Sequence, residues 1–128
     1  MTERPRDRLG RPLALDAVGY PGVHQRERIT SREAVDEATA YLDQGLPFHA
    51  HEVLEMRWRC CPDDERMLWR GLAQAAAGAT HAARGNPVGA SRLIARGQVS
   101  IEEYAGPVDD ATQSLINSLT APRGANDV

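Results

Sequence analysis

Lysine is absent from this 128-residue chain, and all 15 basic residues are arginine. Net charge is −3, with no single-sign block. That argues against a nucleic-acid or anionic-membrane surface. Aromatics are scarce at 5%, with one phenylalanine, so a core has to be built mostly from Leu, Ile, Val and Ala. No apolar run approaches the roughly 20 residues of a transmembrane helix, and no signal-peptide core opens the sequence. The only cysteines, Cys60 and Cys61, are adjacent. Adjacent cysteines rarely bond to each other and lack the separated spacing of a zinc site; they read as two thiols at a helix end. The expectation is a soluble, cytoplasmic protein with no nucleic-acid or membrane partner. Its length suits one domain, which can bury roughly two-thirds of its unfolded surface without a staple.

Residues 1–29 hold six arginines and four acids and show neither helical nor strand periodicity. They read as an extended arm, which Leu13, Leu15, Val18 and Tyr20 would pin across the domain surface. The helical domain then occupies 30–120, and 121–128 read as a frayed C-terminus. Thr30-Ser31-Arg32-Glu33 has the form of a capping box, with Thr30 as N-cap and Glu33 at N3. Gly45 suits the residue after the first helix. Pro47 suits the first position of a second helix, which ends before Pro62. A third helix starts near Asp63-Asp64-Glu65 and stops at Gly85. A fourth follows Asn86-Pro87 and ends near Tyr104, and a short fifth runs from about Asp110 to Leu119. The stretch from Gly45 to Ala50 aligns with Gly85 to Ala90, an offset of 40 residues. This predicts an all-α, compact bundle of two antiparallel helical hairpins, tetratricopeptide-like, plus the short fifth helix.

The most informative stretch is Phe48-His49-Ala50-His51-Glu52-Val53-Leu54-Glu55-Met56-Arg57-Trp58. Helical spacing puts His51, Glu55 and Trp58 on one stripe. An imidazole and a carboxylate in an apolar face need partners. The third helix carries a second stripe of Met67, Gly71, Gln74, Gly78 and His81, whose spacing suits a close helix–helix seam. A short Cys60-to-Asp64 connection predicts that the second and third helices meet there. His51, Glu55, Gln74 and His81 would then form a buried cluster walled by Trp58 and Phe48. His49 and His24 read as surface residues.

At these residues the chain resembles domain-of-unknown-function family 309. His51-x-x-x-Glu55-x-x-Trp58 matches that family's His-x-x-x-Glu-x-x-Trp/Tyr signature. Gly71-Leu72-Ala73-Gln74 and His81-Ala82-Ala83-Arg84-Gly85-Asn86, then Gly89-Ala90, look like its second block. The resemblance covers about residues 41–104. It implies a small all-helical protein of bacterial or archaeal type, with metal binding suggested for the signature and no reaction. His49 departs from a frequent acid, and Thr80 from a common aromatic.

Two chemistries fit the cluster. His51, Glu55 and His81 are a candidate metal set, suited to a divalent ion such as zinc, iron or manganese. A bound water would then make Glu52 a candidate base. However, His-Glu-x-x-Glu is not the zinc-protease pattern, and Glu52 is turned about 100° from His51. The other reading is a structural hydrogen-bond network in which Glu55 accepts from an imidazole and Gln74 closes the circuit. In that case paired hairpins suit an interaction or scaffold module, offered to a protein partner or to a second copy as a homodimer. No catalytic residue is readable.

Overall fold

Thr30 begins the helical part as its residues dictate. Its hydroxyl accepts from the Glu33 amide at 3.0 Å, and the Glu33 carboxylate accepts from the Thr30 amide at 2.9 Å. This reciprocal cap satisfies two amides that the first helical turn would leave unpaired. In the computed structural model, residues 4–121 are described. Helix α1 spans Ser31–Asp43, α2 Pro47–Cys60, α3 Arg66–Ala83, α4 Pro87–Glu103 and α5 Asp110–Thr120. A 3₁₀ turn, Asp63–Glu65, leads into α3. Among the described residues there is no strand, only an isolated antiparallel bridge between Arg6 and Pro12. The segment read as a frayed C-terminus lies outside the described residues from position 122 on.

The 40-residue echo is real at the level of backbone bonds. Gly45 (φ 72°) and Gly85 (φ 83°) both occupy the left-handed region, where an L side chain is disfavoured. Around the first, the Gly45 amide donates to Leu42 and the Leu46 amide to Tyr41. Around the second, Gly85 donates to Ala82 and Asn86 to His81. Both helices therefore close with the same paired bonds, 6→1 and 5→2. Pro47 and Pro87 then start the next helices, where the amide they lack has no intrahelical partner.

α1 packs on α2, α2 on α3 and α3 on α4, while α5 touches α1, α3 and α4. The core runs through Val35, Val53, Leu54, Met56, Leu72, Leu115 and Leu119. Trp69 lies at its centre, 0% exposed. Its indole N–H donates to Glu65 at 2.9 Å, and the Arg57 guanidinium lies over its ring at 5.3 Å. Arg57 also donates to the Ile29 carbonyl at 3.0 Å and to Glu65 at 3.2 Å. The charge is thus stacked, paired and hydrogen-bonded rather than merely buried.

The glycine seam is present, but its partner differs from the expectation. A Cβ at Gly71 would lie 2.6 Å from the Gly97 carbonyl, and one at Gly78 would meet Ile94 and Ala90. The stripe therefore faces α4, not α2. Gly97 answers Gly71 from the opposite helix, so the two backbones approach without side chains between them.

Candidate functional site

His51 and Glu55 face one another one turn apart on α2. The imidazole Nε2 lies 3.1 Å from Glu55 Oε2, and the side chains are 24% and 31% exposed. Arg59, one turn further, holds the other Glu55 oxygen. Burial pushes His51 below the ordinary imidazole value of 6.5; Glu55 pulls it back up, and Arg59 and Arg84 add to the depression. The ring is therefore neutral at neutral pH.

The remaining members of the expected cluster go elsewhere. The Asn86 side chain bonds His81 Nδ1 at 3.0 Å at the α3–α4 turn. Gln74 accepts from the Ser100 hydroxyl on α4 at 3.3 Å. Both follow from the seam facing α4. The ring of Trp58 carries the Arg66 guanidinium at 5.7 Å and does not line the cavity beside His51. Phe48 does, its ring centred 6.1 Å from that of His51 and flanked by Arg6 and Arg84. Among the described residues no group of three or more His, Cys, Asp or Glu side chains is placed to hold a metal ion. The donor set thus does not fit a three-ligand metal centre.

A cavity of about 400 Å³ lies between α2 and the N-terminal arm. His49, His51, Glu52 and Glu55 line its helical side, and Arg6, Asp7, Tyr20, Val23 and Gln25 its arm side. Among these described lining residues there is no Ser, Thr or Cys to act as a nucleophile. Cys60 and Cys61 are free thiols bonded to the Ile29 and Trp58 carbonyls, and burial raises the pKa of Cys61.

The arm is anchored only partly as expected. Leu15 and Val18 are 73% and 95% exposed, whereas Tyr20 packs edge-on against the His49 ring. Backbone carbonyls make further attachments. Arg84 donates to Leu9 at 2.7 Å, Arg8 to Gly45 at 3.1 Å, and His49 Nε2 to Pro21 at 2.7 Å. Arg26 and Glu37 add a two-pronged ion pair. His49, expected at the surface, is 3% exposed because Tyr20 and Tyr41 pack on its ring. Its Nδ1 is sealed and has no hydrogen-bond partner. The arm wall escaped the sequence reading, and the Tyr20-Pro21-Gly22 turn was its only trace. Arg59 was recoverable from its i, i+4 spacing to Glu55.

Residues 35–93 match the model of a domain of unknown function, DUF309. Over these residues the chain is similar to the DUF309 family. The matched span contains α2, α3 and the whole His51–Glu55 pair, whereas the arm wall of the cavity lies outside it. No curated protein and no solved structure gives a significant match. The DUF309 match accordingly carries no reaction to this site.

Proposed function

We propose that this chain binds a small molecule in the cavity between the arm and α2. The observation that carries this reading is the half-buried His51–Glu55 pair set in the wall of a cavity of about 400 Å³. Small-ligand sites are typically clefts of about this size with a few fixed polar groups. His51 and Glu55 are those groups, Phe48 is the flat apolar wall, and Glu52 is a further polar contact. His81 and Gln74 support the α3–α4 packing rather than the ligand. We draw no step through a metal, because the described side chains do not supply a three-donor set.

The acidic balance keeps nucleic acid out of this reading. No described helix is long and apolar enough to cross a membrane. The free thiols support a cytoplasmic setting.

A screen of small polar fragments against the isotope-labelled full chain tests the proposal. Binders are expected to move the amide resonances of Val23, His51 and Glu52 together. A screen in which nothing moves them rejects the ligand-site reading. One observation favours a second reading, an interaction module: Ala90, Ile94 and Ala95 line an apolar groove of about 550 Å³, with Val88 and Val99 exposed on the same helix. Shifts confined to that groove would favour it.

A further inference from the structure

Helix α4 closes the row of packed helices. Among the described elements only α3 and α5 pack against it. Its inner face carries Ala90 and Gly97, both buried, with Gly97 against Gly71. Its outer face meets no other described helix.

That outer face has a pattern of its own. Val88, Arg92, Ala95, Val99 and Glu102 are all exposed and recur at intervals of 4, 3, 4 and 3 residues. This is the spacing with which one helix lays a seam along another. A single exposed valine is ordinary on a protein surface. Here Val88 and Val99, 60% and 55% exposed, lie on one seam.

The seam reads the same from both ends. Positions 92 and 102, like 95 and 99, lie at equal distances from position 97. A second copy laid antiparallel about a two-fold axis there would set Arg92 against Glu102 of the copy, and Ala95 against Val99 of the copy. Beside the seam, Arg96 would face Glu103 of the copy. Helical side chains lean toward their own N-terminus, so this flanking pair converges across an antiparallel contact. Each contact occurs twice, as a two-fold interface requires. A parallel copy would instead bring arginine to arginine and glutamate to glutamate, which repel. Among the described residues, none of these four charges takes part in an ion pair within the chain.

We infer that α4 is a self-association face, on which a second copy of this chain docks antiparallel with Arg92 and Arg96 against Glu102 and Glu103. The inference stands apart from the cavity beside His51, and neither depends on the other. One helix of 17 residues, about 25 Å long, offers a contact near or below the roughly 1,200 Å² of stable complexes. Exposed ion pairs each add little. The dimer is therefore weak, with a Kd on the order of 100 µM.

Sedimentation equilibrium of the full chain at low salt, from about 10 µM to about 1 mM, tests it. The mass is expected to rise from that of one chain, 14.0 kDa, toward that of two. Amide resonances of Arg92, Ala95 and Val99 should move over the same range. Two variants at exposed positions then decide the pairing. Arg92→Glu with Arg96→Glu makes the face acidic throughout, and Glu102→Arg with Glu103→Arg makes it basic throughout. Each alone should associate about tenfold more weakly, and an equimolar mixture should recover the wild-type association or exceed it. Circular dichroism checks the fold of both. If either fails to fold, isotope-filtered contacts between Ala95 and Val99 of different wild-type chains decide alone, and their absence overturns the inference. A wild-type chain that keeps the single mass throughout overturns it and leaves the face to a different partner. Association unmoved by either variant overturns it as well, as does a mixture that associates no more tightly than its components.

Discussion

His51 owes its charge state first to burial and only then to its neighbours. Desolvation is the largest cause of its depressed proton affinity, and in the unfolded chain the ring returns to about 6.5. Below that pH the unfolded chain takes up a proton that the folded chain resists. The contribution to stability is therefore complete above about pH 6.5 and is lost as pH falls toward the lower folded value. Replacing His51 with Gln should flatten this part of the profile. Denaturant midpoints of the wild type are expected to fall more steeply than those of the variant between about pH 7 and pH 5. Parallel curves would show that His51 does not titrate differently once folded. The loss is separable from that of Glu33 and Asp109, held low by hydrogen bonds from Thr30 and from Thr112, because carboxylates respond nearer pH 4, roughly.

Among the helices, the α3–α4 seam makes the sharpest energetic claim. A Cβ at Gly97 would lie 2.6 Å from the Gly71 carbonyl and 3.0 Å from the Ala75 nitrogen. Both obstacles are backbone, so no flexible side chain can move aside. Gly97→Ala gains about 1 kcal/mol of helix propensity, but overpacking costs about 1–3 kcal/mol. Net destabilisation on the order of 1 kcal/mol is expected in denaturant unfolding, and a variant more stable than wild type would show that the helices are further apart. The seam also shows where the sequence stops being legible. Caps and turns at Thr30, Gly45, Pro47, Gly85 and Asn86 are local and announce themselves. The spacing of Gly71, Gly78 and His81 announces a close approach but not which helix makes it. α3 packs against both α2 and α4, and the short connection before it favoured the wrong one. The His51–Glu55 pair was legible because i, i+4 neighbours meet on any helix. The destinations of Gln74 and His81 depended on the seam, and moved with it.

For the molecule as a whole, the question is how the arm relates to the bundle it covers. Several of its contacts end on the carbonyls of Leu9 and Pro21, or start from Arg8 to the carbonyl of Gly45. Backbone acceptors have no side-chain signature, which is why the cavity wall could not be read from composition or period. Each such bond contributes about 0.5–1.5 kcal/mol net, against about 1–2 kcal/mol for ordering each backbone residue. The buried core cluster begins at Ile29, with Val23 packed at its margin. Removing residues 1–25 is therefore expected to leave a cooperatively folding helical bundle, with a melting temperature within several degrees of the full chain. The same truncation takes away Arg6, Asp7, Tyr20 and Val23 from the cavity and the Pro21 acceptor from His49. His51 should then gain water, and its pKa should rise toward the ordinary 6.5. Ring titration by NMR on the truncated and full chains measures this directly. A truncated chain that fails to fold would make the arm part of the core. A folded one whose His51 titrates as before would show that the helices, not the arm, keep that ring dry.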